Sequence, residues 1–566
     1  MKRVINPACE SKEPTVGTQR PVPTASRGSS PVCPTYRDDQ MRKLILSMTS
    51  AAMLLGMAFA AGVHSDNDSG TERSAKGVVF HDANGNGKRD AGEKGLAGVR
   101  VSNGQGIVQT DDSGAYELSV DDDSIIFVIK PRNWRTPLNE YNLPQFYYIH
   151  KPAGSPELKY AGVAPTGPLP ESVDFPLTPQ KEPDQFKAIL FGDPQPRDQK
   201  EVDWIAHDVV EGLVGTDASF GVTLGDIVFD DLSLFESQAR SIALLGIPWY
   251  NIVGNHDINY DATNDRISNA TFERNFGPAY YSFDYGTVHF LVLDDVEWVV
   301  DTPGKRGRYR GGLGKQQIEF IRNDLAGIPD DQLLVVMMHI PLTEVEDRQD
   351  LYRLIEKRPF AMSMSAHTHQ LEHRFITKDD GWMGPEPHHH FINVTVSGSW
   401  WSGATDERQI PHTTCTDGTP NGYSIISFDG TKYALDYHPA GRPEDYQLQI
   451  QAPDVVSAAA GEETTIFVNV FNGSSRSRTE MRIGSGDWAA MEHAIRNDPY
   501  YEQTFAIDAA LTDRPWRKMS APRPSSHLWI STLPEGLSPG SHLIQVRSTD
   551  MFGQTVSGRR IIRVSE

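Results

Sequence analysis

The chain has 566 residues, too many for one ordinary hydrophobic core and enough for two to four domains. Hydrophobic residues make up 38% and charged residues 23%, which excludes a chain that is disordered throughout. Its 53 Lys and Arg stand against 75 Asp and Glu, a formal charge of −22. That balance opposes nonspecific attraction to polyanions, so no nucleic-acid polymer is expected as a partner.

The first 60 residues read as an address. Residues 41–60, MRKLILSMTSAAMLLGMAFA, place Arg42 and Lys43 before an apolar run that ends in Ala58-Phe59-Ala60. These are the three parts of a secretory signal peptide, and the run is short for about 30 Å of hydrocarbon. Cleavage and a periplasmic or secreted location are expected, with no transmembrane anchor left behind. Of the three cysteines, Cys9 and Cys33 lie in this leader. Cys415 then stands alone, and a buried small hydrophobe is its expected role because no base flanks it.

Residues 76–178 have the grammar of a β-sandwich, with short alternating segments such as Tyr116-Glu117-Leu118-Ser119-Val120 between Gly, Asp and Asn turns. Within it, DANGNGKRDAGE places Asp82, Asn84, Asn86, Lys88, Asp90 and Glu93 at loop positions 1, 3, 5, 7, 9 and 12, with Gly87 at position 6. This is the spacing of an EF-hand calcium loop. No amphipathic helix flanks it, and the segment resembles the calcium loops of bacterial surface-protein β-domains. Calcium is expected there; the alternative is an acidic turn without metal.

A polar, Pro-containing linker, Leu177 to Pro183, precedes a change of rhythm over residues 184–440. Apolar runs that read as strands now alternate with helical patterns, the α/β order in which ligands gather at the carboxyl ends of strands. Five such ends carry metal-type donors: FGDPQ (Asp193, Gln195), LGDIVFD (Asp226), VGNHD (Asn255, His256, Asp257), MMHIP (His339) and SAHTHQ (His367, His369). Each follows a hydrophobic run that would deliver it to one edge of a sheet. Residues 445–566 return to short strand patterns and form a C-terminal β-rich domain.

In order and local sequence, the five motifs resemble the calcineurin-like metallophosphoesterase superfamily. The flanking β-domains resemble those of a bacterial exported group within it. The resemblance implies an α/β fold for 184–440, a four-layer α+β sandwich, between all-β sandwich domains. It also implies hydrolysis of a phosphoester by a metal-activated hydroxide. Two cations neutralise phosphoryl oxygens and lower the pKa of bound water toward about 7 when held about 3.5–4 Å apart. By motif match, Asp226 bridges them, Asp193, Gln195 and His369 hold one, and Asn255, His339 and His367 hold the other. His256 is then the general acid, with Asp257 orienting its ring. Gln195 stands where many relatives have His, which favours Mn, Fe(II) or Mg over Zn. Ala366 replaces the more usual Gly before the final His pair.

The expected substrate is a small phosphoester, with diesters favoured over monoesters. GDIVFD lacks the Arg of protein Ser/Thr phosphatases and the Tyr of purple acid phosphatases. Trp400 and Trp401 are read either as walls of a substrate pocket or as core packing. His388, His389 and His390, beside Pro385 and Pro387, are expected on a solvated loop. His527 and Trp529 are read either as reaching the active site or as packing on the catalytic domain, and packing is expected. A reading from another class is a cell-surface binding module in which the central domain is vestigial.

Overall fold

The computed structural model describes residues 73–302, 304–458 and 464–566, so the leader reading at 1–60 lies outside the described residues. Among the described residues no helix is long and apolar enough to cross a membrane.

Alternation builds the first domain. The strand Ala115–Val120 turns Tyr116, Leu118 and Val120 inward and pairs antiparallel with Arg73–His81, which also pairs in parallel with Phe175–Pro179. A second four-stranded sheet contains Arg100–Ser102 and Ser124–Val128. Val79, Val101, Leu118, Ile126 and Phe175 fill the core between the two sheets. That core continues into the next domain, where Phe127 meets Phe320 edge-on at 5.7 Å.

The central domain contains a five-stranded and a six-stranded sheet. The first runs in the order Trp249–Asn251, Phe220–Thr223, Gln185–Phe191, Gly422–Asp429, Lys432–Pro439, with its first three strands parallel. The second runs Tyr281–Tyr285, Val288–Val292, Leu333–Met337, Ala361–Ser365, His388–Ile392, Glu372–Ile376, with four adjacent strands parallel. Leu333–Met337 and Val288–Val292 are buried at every position, because strands covered on both faces have no solvent side to carry polar residues. Helices including Gln199–Ile205, Phe235–Ile242 and Gly314–Leu325 connect the strands. This α/β core with flanking strand-rich domains agrees with the expected fold class.

One expectation is corrected here. His388, His389 and His390 lie in the buried strand His388–Ile392, not on a solvated loop. Ser363 Oγ meets His388 Nε2 at 2.8 Å and His390 Nδ1 at 2.7 Å, and Ser365 Oγ meets His390 Nε2 at 3.0 Å. Tyr433 Oη bonds His389 Nδ1 at 2.7 Å. Partners on neighbouring strands make burial tolerable, and burial pushes all three imidazoles down in pKa, so they are neutral.

The C-terminal domain is a further pair of sheets around Val468, Trp529, Ile544 and Ile562, plus the helix Pro499–Ala510 capped by Asp498. His527 is buried between Asn469 Oδ1, at 2.7 Å, and Asp417 Oδ2, at 3.2 Å, the latter from the central domain.

Candidate functional site

The donors predicted at five strand ends converge at one edge of the central domain. Apolar strands end, and the backbone then turns sharply through left-handed residues that aim polar side chains inward. Eleven described non-glycine residues have positive φ, and eight of them are at or beside this edge: Asp193, Gln195, Asp226, Asp230, His367, His369, Trp400 and Trp401. Such residues are uncommon and cost about 1–3 kcal/mol each, so their concentration marks a place where the surrounding fold enforces geometry. Two glycines permit the close approach. A Cβ on Gly254 would lie 1.9 Å from the Asp226 backbone N, and one on Gly225 would lie 2.4 Å from His339 Nδ1.

At the centre, Asp226, His339 and His367 bring a carboxylate oxygen and two ring nitrogens within 4.8 Å of one another. His339 Nδ1 donates to Leu224 O at 2.8 Å, which fixes the tautomer and leaves Nε2 facing Asp226 Oδ1 at 3.3 Å, Asn255 Oδ1 at 3.1 Å and His367 Nδ1 at 3.2 Å. His369 Nδ1 likewise donates to Gly398 O, leaving its Nε2 at 3.7 Å from Asp193 Oδ1. Backbone acceptors of this kind commonly orient metal-ligating imidazoles. Gln195 Nε2 donates to Asp226 Oδ2. All seven donors expected to hold metal are therefore gathered in one cluster.

The electrostatics are those of crowded, dry charge. Burial and the neighbouring Asp226 charge push the Asp193 carboxyl well above the usual range. Burial also opposes ionisation of Asp226, but His339, His256 and His367 outweigh it and hold that carboxyl low. His339 is raised to about 10 by the carboxylates around it, against the opposing effect of burial. His367 and His369 are depressed by burial to about 3 and about 4. Asp193 Oδ1 and Gln195 Oε1 are buried and have no hydrogen-bond partner. Unpaired buried oxygens are costly, and two of them on residues in contact with this cluster, beside the neutral rings of His367 and His369, fit divalent cations.

His256 sits beside this cluster. Its backbone N donates to Asp226 Oδ1 at 2.8 Å, and its ring stacks on Phe229 with centroids 4.2 Å apart. The ring partner differs from the expected one. His256 Nδ1 meets Asp230 Oδ1 at 2.6 Å. Asp257 instead accepts the backbone N–H groups of Ile227, Val228 and Gly254, at 3.1, 3.1 and 2.9 Å, and so ties two of the motif loops together. Asp295 does the same for His339 and Ile340, both at 3.1 Å. Asp230 was in view in the sequence as the last residue of GDIVFD, but only the fold brings it beneath the ring.

The tryptophan pair divides. Trp401 is buried, donates Nε1 to Pro194 O at 3.0 Å and packs on Trp204, so it is core. Trp400 lies against the His369 ring with centroids 4.1 Å apart. Behind His369 the C-terminal domain closes in. Arg523 N donates to Thr416 O at 2.9 Å, Thr416 N donates to His369 O at 3.0 Å, and Gln370 Nε2 donates to Pro524 O at 3.0 Å.

In the Asp82–Glu93 loop the carboxylates turn on their own chain. Asp82 accepts from Gly85, Asn86 and Gly87 N, Asp90 from the Asn84 and Asn86 amides, and Glu93 from Ala83 and Asp90 N. Lys88 N donates to Asn86 Oδ1 at 2.7 Å.

Sequence profiles of three calcineurin-like phosphoesterase domains match in succession: the N-terminal domain at residues 83–160, the phosphoesterase domain at 179–371 and the C-terminal domain at 390–556. The chain belongs to the calcineurin-like phosphoesterases. That family is one of phosphoesterases that work with divalent metal ions. Among solved structures, a purple acid phosphatase from yellow lupin (Lupinus luteus) seeds aligns at 15% identity with a TM-score of 0.32. The alignment covers 60% of this chain and 66% of the lupin chain, just under two thirds of it. A β-glycosidase from Bacteroides vulgatus aligns at 8% identity and a TM-score of 0.14, over 82% of this calcineurin-like chain and 74% of that one. No curated protein sequence matches it.

Proposed function

We propose that the protein is an exported two-metal phosphoester hydrolase of small substrates, with diesters preferred over monoesters. In this reading Asp193, Gln195 and His369 hold one cation, Asn255, His339 and His367 the other, and Asp226 both. When bound, the pair neutralises phosphoryl oxygens and lowers the pKa of water toward about 7. The neutral Gln195 oxygen favours Mn, Fe(II) or Mg over Zn.

The protein's own groups supply the rest. Asp230 accepts from His256 Nδ1, which leaves Nε2 to carry the proton that the departing oxygen receives. Burial opposes a charged ring there, but Asp226 and Asp230 outweigh it and raise its pKa, so the acid form is favoured. Asp257 and Asp295 hold the loops, and Trp400 lies beside the His369 ring. Calcium in the Asp82–Glu93 loop and secretion past residue 60 belong to the same reading, carried by spacing and by the leader pattern.

The observation that carries the proposal is the pair of buried, unpartnered oxygens on Asp193 and Gln195, two residues in contact with a cluster of three histidines, Asp226 and Asn255. The test is turnover of a chromogenic diester and of a panel of mono- and diesters with added Mn, before and after chelation. Inertness toward the whole panel with metal bound would leave the binding-module reading in its place. N-terminal sequencing of exported protein checks the leader, and a retained Met41 would defeat it.

A further inference from the structure

The His256 ring is held at two places. Its Nδ1 meets Asp230 Oδ1 at 2.6 Å, but the Asp230 side chain is 41% exposed, and one hydrogen bond fixes a distance without fixing the plane of the ring. The plane is set by Phe229, which stacks on the imidazole with centroids 4.2 Å apart and planes 23° from parallel. Phe229 is itself only half-buried, so whatever steadies it also steadies His256.

Two contacts steady it, and both come from the loop that carries Gln195. Phe229 N donates to Pro196 O at 3.1 Å, and the Arg197 guanidinium lies over the Phe229 ring, 4.1 Å from its centroid. The same guanidinium donates from Nη1 to Trp400 O at 3.1 Å, at the residue whose ring lies on His369. Arg197 therefore spans from the ring beside His256 to the chain beside His369. Its loop is fixed by Glu201, which accepts from Arg197 N at 2.8 Å and lies 3.6 Å from Nη1. Glu201 is buried, and Arg517 of the C-terminal domain reaches it at 3.4 Å. A buried carboxylate needs a cation, but Arg517 already supplies one, so Glu201 does not account for the second guanidinium.

Arginine suits this place by its shape. A flat guanidinium can lie over an aromatic ring while its edge N–H groups donate elsewhere, and an ammonium on a flexible stem does not do both. A general acid needs that bracing, because transfer to the departing oxygen demands hydrogen-bond reach and alignment.

We propose that Arg197 is a positioning residue for phosphoester hydrolysis: through Phe229 it holds the His256 ring in the plane from which Nε2 protonates the leaving oxygen. The proposal rests on the phosphoesterase reading above. The effect of Arg197 passes through one ring to another and involves no contact with the reacting atoms.

The test is Arg197→Gln in the full Mn-loaded protein, with metal content followed by elemental analysis. On an alkyl ester kcat should fall about 10–10²-fold, on a nitrophenyl ester less than about threefold, and KM should hold on both, because a misplaced acid matters only where the leaving oxygen needs its proton. Arg197→Lys should show the same split, since charge alone does not brace the ring, and it stands in should Arg197→Gln fail to fold. In a Phe229→Leu background, where the relay is already cut, Arg197→Gln should add nothing on either ester. Equal losses on the two esters, a loss confined to KM, a loss of metal, or full activity in Arg197→Lys overturns the proposal. A second readout needs no turnover. In histidine-labelled, Mg-loaded protein the His256 ring resonances, assigned by their loss in His256→Ala, carry the ring-current shift of the stacked Phe229. Arg197→Gln should move them toward the values of an unstacked imidazole. If the wild type turns over neither ester, the phosphoesterase reading fails by itself and these resonances decide whether Arg197 positions the ring: shifted signals support it, and unmoved signals overturn it.

Discussion

Two buried polar clusters lie in the central domain, and they are built on opposite principles. In the sheet, His289 Nδ1 meets Asp284 at 2.7 Å, its Nε2 meets Asp324 at 2.8 Å, and Asp324 also receives Arg100 from the N-terminal domain at 2.9 Å. At the strand ends, Asp193 Oδ1 and Gln195 Oε1 have no partner, and five of the seven expected metal donors sit on left-handed backbone. A satisfied network stabilises the fold by itself; an unsatisfied one on strained backbone is stable only as the framework of something that completes it. The Asp82–Glu93 loop falls between them, with a metal-loop spacing whose carboxylates are met by their own chain.

The largest effect should separate the two clusters outright. Asp226→Asn removes the charge shared by both proposed cation positions, so metal content by elemental analysis and turnover should both collapse while melting falls no lower than that of the metal-free wild type. Unfolding of this variant would mean that the strand-end cluster, too, is structural. Next, His256→Ala should lose roughly 10²–10⁴-fold in turnover with metals retained. The loss should be greater on an alkyl ester than on a nitrophenyl ester, whose leaving group departs without a proton. Equal losses on the two esters would take the acid role away from His256.

The third effect belongs to the satisfied cluster. Burial alone would depress His289, but Asp324 and Asp284 outweigh it and raise its pKa from 6.5 to about 9. A raised folded pKa gives stability that is full below pH 6.5 and is lost as pH climbs through about 9, by up to about 3 kcal/mol. Denaturation midpoints across that window should fall in the wild type and stay flatter in His289→Leu, whose folded molecules keep their turnover. A flat wild-type profile would remove the protonated His289 from the account. The smallest effect is at the loop. Calcium should raise the melting temperature of the full protein by a few degrees through mass action. Glu93→Gln should reduce that rise. Indifference to calcium would make the loop a turn.

How much of this was legible in the sequence depended on distance along the chain. Apolar runs followed at once by donors gave the strand ends, because strand and ligand are written in adjacent residues. The partner of His256 was not legible, since Asp257 and Asp230 are equally plausible carboxylates until backbone N–H groups claim the former. His388 to His390 misled because polar residues near prolines imitate a loop; their partners Ser363 and Ser365 lie 25 to 27 residues earlier, on a neighbouring strand. The Tyr160 carbonyl that accepts from Thr271 Oγ1 at 3.0 Å was equally hidden, for it sits in what reads as the end of a separate domain.

The contacts of Arg523 and Pro524 behind His369 bear on how such a chain can change over generations. Linkers near residues 180 and 445 look like places where genes could be cut and rejoined with other parts. Yet the strand pattern after the second linker delivers the backbone groups that brace a histidine of the centre, and the segment before the first delivers the Tyr160 carbonyl that meets Thr271. A swap at either seam would transplant a module and break contacts made with the central domain, so a recombinant between distant relatives should turn over only when all three segments come from the same parent.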